Sequence, residues 1–155
     1  MEKTNVMRLL DAAGAAYIPY EYPSPTALSG AEVARILGRD PACVFKTLVT
    51  RGASGKNYVF MIPVEEELHL KKAAKAAGEK AIEMIKSKEL LPLTGYIHGG
   101  CSPIGMKKPF PTFVDETVIL CETMLFSAGK IGYQVEMSPE TLLALVPYET
   151  ADLTQ

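Results

Sequence analysis

The stretch VFKTLVT (44–50), followed by RGASGK (51–56) and NYVFMI (57–62), decides the fold of this chain. Both outer stretches are rich in β-branched and aromatic residues, and the six residues between them include two glycines, so the segment predicts a β-hairpin. Neither stretch alternates strictly between apolar and polar residues, which is typical of strands covered on both faces. We therefore expect this hairpin at the core of a sheet.

Lys46 is the residue of this hairpin that fits a buried strand least well. Side chains alternate along a strand, so Val44, Lys46 and Leu48 share one face. Burying an ammonium group is costly unless the group is paired or deprotonated, so a buried lysine here would indicate a function. A lysine near a strand end can also extend its amine into solvent, and the spacing alone leaves both possibilities open.

Outside the hairpin, helices and strands follow one another irregularly, without βαβ repetition, which favours an α+β fold with a mixed sheet. Capping residues predict a first helix after Thr4, a second after Ser29 and a last one after Ser138. Pro23 and Pro25 end an extended segment. Further strands are predicted at 17–22, 81–85, 112–115, 123–127 and 133–137, and further helices at 70–77 and from 87 onward.

Length and composition indicate a single domain spanning residues 1–155. The chain is 48% hydrophobic and 22% charged, which excludes wholesale disorder and predicts a core that needs neither disulfides nor a structural metal. No window reaches the roughly 18 apolar residues of a membrane span, and the N-terminus lacks a signal-peptide pattern. The cysteines, Cys43, Cys101 and Cys121, form no CxxC pair, which predicts reduced thiols and a cytoplasmic protein.

The net charge of −2 hides a gradient along the chain. Residues 1–70 carry a net charge of −1, residues 71–108 carry +5, and residues 109–155 carry −6. The average argues against a general nucleic-acid-binding protein, whereas the basic middle could contact phosphates locally. A solvated helix face is the alternative explanation, and it fits best the three lysines with acidic neighbours, Lys80, Lys86 and Lys88. The lysines considered as a tRNA approach are Lys71, Lys72, Lys75, Lys107 and Lys108.

The stretch TGYIHGGCSPIGMKKPFP (94–111) predicts a loop in which backbone N–H groups can approach a ligand closely. Gly99 and Pro103 define a GxxxP loop within it, suited to a carboxylate, a phosphate or a developing oxyanion. It matches neither a Walker loop nor a dinucleotide fingerprint, so no cofactor is predicted. A tight surface turn would explain the same residues without a ligand.

Cys101 could act as a nucleophile with His98 or His69 as base, but no local signature supports it, and a small buried cysteine is the commoner case. The two histidines have no metal-ligand spacing, so no metal site is predicted. The turn SAGK (127–130) is a second small-residue turn that could face the same pocket or be an ordinary hairpin turn.

Taken together, VFKTLV, IPVEEELHLKKAAKAAGEKAIEM, TGYIHGGCSPIGMKK, PTFVD and SAGKIG resemble the YbaK/EbsC group of bacterial aminoacyl-tRNA deacylases. The chain is also similar to the editing domain of bacterial prolyl-tRNA synthetases, and the resemblance runs nearly end to end. It implies a partly barrel-like mixed sheet flanked by short helices. It also implies trans-editing hydrolysis of mischarged tRNA, with Cys-tRNA(Pro) as the leading substrate.

The resemblance further implies a role for individual residues. Lys46 would be the essential pocket lysine that orients the aminoacyl ester, and the GxxxP loop would offer backbone amides near the carbonyl. The attacking group would be the substrate's own thiol, so no protein nucleophile is expected. The residues implied to bind substrate are Tyr20, Thr47, Gly99, Gly100, Cys101, Ser102, Pro103, Ser127 and Gly129.

Three departures from relatives concern specificity. Cys101 stands where some relatives carry an aliphatic residue, Gln134 where some carry Asp, and Ile131 where many carry a basic residue. A pocket separates small side chains by only a few kcal/mol, so Ala-tRNA is a second candidate substrate.

Two hypotheses from different classes compete with the deacylase. One is a non-catalytic module that binds a nucleotide or an aminoacyl-tRNA end, and the second is a Schiff-base lyase that uses Lys46. The expected macromolecular partner is the aminoacylated end of tRNA, and a partnership with prolyl-tRNA synthetase is left open. Neither DNA nor a membrane is expected as a partner.

Overall fold

The computed structural model describes residues 1–23 and 28–155, so the predicted break at Pro25 lies outside the described residues. The helices are α1 (Asn5–Ala12), α2 (Gly30–Leu37), α3 (Leu70–Ala77), α4 (Ser87–Thr94) and α5 (Pro139–Leu145). The strands are β1 (Ile18–Glu21), β2 (Phe45–Gly52), β3 (Asn57–Pro63), β4 (Ile82–Met84), β5 (Thr112–Asp115), β6 (Met124–Ser127), β7 (Tyr133–Met137) and β8 (Tyr148–Ala151). Two short 3-10 helices span Pro41–Cys43 and Glu116–Leu120.

The strands form two open sheets. The larger has the order β4-β2-β3-β5-β8, and it is mixed, because β4, β2 and β3 pair antiparallel whereas β5 pairs parallel with both β3 and β8. The smaller is antiparallel, with the order β1-β7-β6. The predicted α+β class with a mixed sheet is confirmed, and the described strands do not close into a barrel.

The main hydrophobic core lies between the two sheets and beneath α1. Phe45 and Met61 from the larger sheet, Phe126 and Val135 from the smaller sheet, and Leu10 from α1 are all at most 2% exposed. A second cluster fills the other face of the larger sheet, where α3 covers Phe60 and Ile62. Both faces of the hairpin are therefore covered, as the sequence predicts.

Local capping sets the helix bounds. Thr4 Oγ1 accepts a hydrogen bond from the Met7 N–H at 3.2 Å at the start of α1. Ser29 and Glu32 form a reciprocal capping box at the start of α2, and Gly38 ends that helix with a left-handed φ of +67°. These contacts satisfy backbone groups that a helix end leaves unpaired, which explains why the predicted bounds of α1 and α2 are nearly correct.

The structure corrects the prediction of three reduced thiols. Cys43 and Cys121 form a disulfide across a sequence separation of 78 residues, and Cys101 is the free cysteine of the described chain. The two cysteines lie far apart in sequence, so counting and spacing could not pair them. The bond joins the 3-10 turn before β2 to the segment before β6, and Val44 and Leu125 form a bridge beside it.

No helix in the described ranges is long and apolar enough to cross a membrane.

Candidate functional site

The candidate site is a pocket of about 230 Å³ beside the first half of β2. It lies where the edge of the larger sheet meets the β1-β7-β6 sheet and the start of α2. The volume is below the roughly 300–1,000 Å³ of pockets for drug-sized ligands, so it suits a small chemical group. The lining residues are Tyr22, Leu28, Ser29, Gly30, Val33, Val44, Phe45, Lys46, Thr47, Leu48, Val64, Leu90, His98, Gly99, Cys101, Ser127 and Gln134.

The pocket exists because β2 has an unpaired edge at this point. On that side β4 pairs only with Thr50 to Gly52, which leaves the earlier residues of β2 without a neighbouring strand among those described. Val44 O accepts from the Val64 N–H at 2.9 Å, so even-numbered residues of β2 direct their backbone groups at β3. By alternation, the N–H and C=O of Thr47 point towards the pocket side.

With histidine counted as neutral, Lys46 is the one formally charged residue among the described residues that line the pocket. It lies opposite Ile62 in the β2-β3 register and is half-buried. Within the described ranges no Asp or Glu lines the pocket, and no carboxylate lies within ion-pair distance of the Lys46 ammonium. A partly desolvated, uncompensated cation attracts an anion or a developing negative charge.

The GxxxP loop forms one wall and packs on the turn after β6. Gly99 has a φ of +87°, which side chains other than glycine rarely adopt. A Cβ on Gly100 would lie 3.2 Å from the backbone N of Ile131 and 3.3 Å from the Cα of Lys130. Glycine at 100 therefore lets two backbone segments touch, and this contact fixes the position of Gly99 and Cys101 in the pocket wall.

The SAGK turn contributes one lining side chain and one structural glycine. Ser127 lines the pocket, and its Oγ accepts from the Gly129 N–H at 3.1 Å. Gly129 has a φ of +89°, and a Cβ there would lie 2.9 Å from Tyr96 and from Val6. The turn therefore packs against α1 and Tyr96 while it presents Ser127 to the pocket.

Tyr20 lies beside the pocket and does not line it. Its hydroxyl donates to Glu136 Oε1 at 2.5 Å and accepts from Arg39 at 2.5 Å, and Arg39 also pairs with Glu136 at 3.1 Å. Burial alone would raise the pKa of Glu136, but hydrogen bonds from Thr123 and Tyr20 and the Arg39 charge lower it overall. This network holds Tyr20 against α2.

The structure brings together five of the ten residues proposed for catalysis or substrate binding: Lys46, Thr47, Gly99, Cys101 and Ser127 line the pocket. Tyr20, Gly100, Ser102 and Gly129 are not among the lining residues, and Ser102 is fully buried. Pro103 lies in the wall of a separate cavity of about 250 Å³, together with Lys108.

Sequence reasoning missed part of the lining. Tyr22 lines the pocket, whereas the resemblance pointed to Tyr20. The start of α2 also lines it, at Ser29, Gly30 and Val33. The close approach of α2 is visible at Gly30, where a Cβ would lie 2.4 Å from Val64. A glycine directly after a helix cap was the signal that could have indicated this contact.

The proposed tRNA-approach lysines are not part of the pocket wall. Lys71, Lys72 and Lys75 belong to α3, which covers the face of the larger sheet that carries Phe60 and Ile62. Lys72 pairs with Asp152 at 3.0 Å and donates to the Thr154 carbonyl at 2.7 Å. Within the described residues, no cluster of three or more His, Cys, Asp or Glu is arranged to hold a metal ion.

Cys101 should be unreactive as a nucleophile. It is 9% exposed, and burial raises the pKa of its thiol to about 12. The thiolate fraction at neutral pH is then negligible. We expect Cys101 to resist iodoacetamide in the folded protein, and Cys101→Ala to retain any activity of this site within about tenfold. Mass spectrometry before and after unfolding checks the first point, and rapid labelling of the folded protein would contradict it.

Comparisons with known proteins agree with this architecture. The model of the family "Aminoacyl-tRNA editing domain" matches residues 24–145. A curated protein of Enterococcus faecalis, named "Putative Cys-tRNA(Pro)/Cys-tRNA(Cys) deacylase EbsC", is 46% identical over 154 residues, 99% of this chain and 94% of its own length.

Solved structures share the fold. One is titled "Crystal structure of a putative trans-editing enzyme for prolyl tRNA synthetase"; it is 26% identical, covers 100% of this chain and 99% of its own, and has a TM-score of 0.86. Another, described only as a hypothetical protein, is 24% identical, covers 98% of this chain and 100% of its own, and has a TM-score of 0.88. The family model and the 46% identical relative show that this chain belongs to the aminoacyl-tRNA editing domain family.

Proposed function

We propose that this protein hydrolyses the aminoacyl ester of mischarged tRNA in trans, with Cys-tRNA(Pro) as its leading substrate. The observation that carries the proposal is the pocket itself, whose described lining includes one formally charged residue, Lys46, and no carboxylate. A 46% identical relative bears the name of a Cys-tRNA deacylase, which supports the same substrate class.

Among the hydrogen bonds of the described residues, none joins Cys101 or Ser127 to a basic side chain, which supports a reaction without a protein nucleophile. Cys101 is held as a thiol, and Ser127 Oγ accepts a hydrogen bond from its own turn. In the proposed reaction the cysteinyl sulfur attacks the ester carbonyl and the C–O bond to the terminal ribose breaks. The thiol proton ends on the ribose oxygen, and water then opens the cyclic thioester to release cysteine.

The protein would supply position and electrostatics in this reaction. The Lys46 ammonium would hydrogen-bond the ester or the terminal ribose and stabilise the negative charge that develops on the carbonyl oxygen. Thr47 and the Gly99 loop both line the pocket, and their backbone N–H groups could share that charge. Holding sulfur and carbonyl carbon in contact would supply most of the remaining rate enhancement.

A deacylation panel tests this proposal. Cys-, Ala- and Pro-charged tRNA(Pro) are incubated with the protein, with and without prolyl-tRNA synthetase, and the loss of ester is followed over time. We expect rapid loss of the cysteinyl ester and much slower loss of the alanyl and prolyl esters. Tight binding of Cys-tRNA(Pro) without product release would instead favour a non-catalytic binding module. A preference for the alanyl ester would reject the thiol mechanism.

The charge distribution predicts how tRNA binding responds to salt. The few lysines of the basic middle segment that are available to phosphates can release only a few counterions from the acceptor end. We expect the dissociation constant for tRNA to rise about three- to thirtyfold between roughly 50 and 200 mM KCl. Filter binding or fluorescence anisotropy measures it. An affinity that does not change with salt would exclude phosphate contacts by these lysines.

A further inference from the structure

Two oxygen atoms in the pocket residues lack a hydrogen-bond partner. Across the described residues, Thr47 Oγ1 and Gln134 Oε1 are the buried side-chain polar atoms with no partner, and less than 1 Å² of each is exposed. Both residues line the same pocket. Leaving a buried polar group unpaired is costly, so a ligand towards which these two side chains turn to accept hydrogen bonds recovers that free energy on binding.

Gln134 is held in place by its strand. It lies on β7, the central strand of the smaller sheet, directly between Tyr20 on β1 and Ser127 on β6. Two residues further along β7, Glu136 is fixed by Tyr20 and Arg39. Gln134 is only 8% exposed, so its amide cannot turn to bulk water without moving out of the sheet face. The Gln134 side chain therefore stays beside the pocket.

The charges around these acceptors disfavour a second cation. Lys46 is the formally charged group of the lining, and no described lining residue is acidic. The nearest carboxylate along β7, Glu136, is already engaged, and Glu32 on α2 accepts from Ser29 at the helix start. The titratable groups that face the pocket are Tyr22, Lys46, His98 and Cys101.

The α-amino group of an aminoacyl ester is the donor that matches this arrangement. A neutral amine has two N–H donors for two oxygen acceptors, whereas a thiol has one weak donor. An α-ammonium would add a second positive charge to a pocket with Lys46 and no counterion among the described residues, which is unfavourable in a low-dielectric site. Neutral amide and hydroxyl oxygens suit the uncharged amine.

We propose that this pocket binds its aminoacyl ester with the α-amino group uncharged, and that Gln134 Oε1 and Thr47 Oγ1 accept its two N–H groups. The inference rests on the proposed function and adds which protonation state of the substrate is selected. Affinity should therefore increase as pH rises through the pKa of the substrate amine, which for α-amino groups is about 7.7–8.0. Below that pKa it should fall by up to about tenfold per pH unit.

The test measures binding, independently of turnover. Two probes are compared: cysteinyl adenosine with an amide in place of the ester, and the same molecule without the α-amino group. Calorimetry with the wild-type protein at about pH 5.5–8.5 should show the amino probe gaining at least roughly tenfold in affinity between pH 6 and pH 8.5. The desamino probe should change little with pH. Equal affinity for both probes, or tighter binding of the amino probe at low pH, would overturn the inference.

Variants of Gln134 and Thr47 test whether these two residues cause the preference for the amino probe. Gln134→Met keeps the approximate shape and removes the acceptor, so it should bind the two probes within about threefold of each other at about pH 8.5. Gln134→Glu supplies a carboxylate, which pairs with a charged amine. The affinity of this variant for the amino probe should therefore fall as pH rises. Thr47→Val removes one of the two acceptors, so it should lose part of the preference for the amino probe over the desamino probe. If Gln134→Met retains the full wild-type preference for the amino probe, the proposed contact is wrong.

His98 is the lining group whose own titration could imitate the effect. In His98→Gln the pH trend of the amino probe should persist, and its disappearance would assign the trend to the imidazole and overturn the inference. If the protein deacylates Cys-tRNA(Pro) but binds the two probes equally well, this inference is wrong and the proposed function still holds. Failure of both probes to bind, together with no deacylation of any charged tRNA, would reject the proposed function as well.

Discussion

Lys46→Ala should lower the rate of Cys-tRNA(Pro) deacylation by at least about 100-fold while the protein stays folded. Lys46 is the only formally charged residue of the described pocket lining, and it has no acidic partner among the described residues. Removing one preorganised donor from a site of developing negative charge typically costs roughly 10²–10³ in rate. Because Lys46 makes no ion pair within the described ranges, its removal should leave the fold intact, which circular dichroism can verify.

A matched control lies at the other end of the same hairpin. Lys56 is exposed in the turn between β2 and β3 and is not part of the pocket lining. Lys56→Ala should retain wild-type turnover. Lys46→Arg should recover only part of the activity, because the guanidinium is larger and has a different donor geometry. Unchanged turnover of Lys46→Ala would exclude the proposed role, and borohydride trapping of a carbonyl substrate on Lys46 would favour a Schiff-base lyase instead.

Breaking the Cys43–Cys121 disulfide should lower the free energy of unfolding by about 2–4 kcal/mol. The bond spans 78 residues, including the whole β2-β3 hairpin, and a cross-link over so long a loop restricts the unfolded chain strongly. With a typical urea m-value of about 2 kcal/mol/M, the unfolding midpoint should shift down by about 1–2 M. Urea titrations with and without reductant measure this difference.

The double variant Cys43→Ala/Cys121→Ala separates the cross-link from any additional effect of the reductant. Its midpoint should match that of the reduced wild type and should not respond to reductant. Thiol counting in denaturant should find one reactive thiol, Cys101, in the oxidised protein and three after reduction. Three thiols in protein purified without reductant, or equal midpoints in the two redox states, would contradict the prediction.

Much of the fold could be predicted because local sequence signals decide it. The hairpin at β2 and β3, the strand at Thr112–Asp115 and the caps at Thr4 and Ser29 follow from residue type and spacing within a few positions. Strand β8, Tyr148–Ala151, was missed. It exists because β5 offers a parallel partner, and four residues with exposed Glu149 and Thr150 give no strand pattern of their own.

The candidate site could be predicted only where a local sequence signal marks its residues. Lys46 and Gly99 stood out because a lysine in an apolar strand and a dense group of glycines are locally unusual. Tyr22 and Gln134 gave no such signal, since their place in the pocket depends on how the smaller sheet meets β2. The disulfide depends on the same long-range packing, and no local pattern around Cys43 or Cys121 could have indicated it.

The order of the pocket walls along the chain has a consequence for biosynthesis. The walls come from Tyr22, from β2, from the loop at Gly99 and finally from Gln134 on β7. Because β7 is the central strand of the smaller sheet, β1 and β6 have no partner in that sheet until it has been made. A nascent chain that ends before Met137, the last residue of β7, therefore cannot form the complete site. A ribosome that stalls earlier would release an inactive fragment in which β1 lacks its partner strand, a surface suited to capture by chaperones.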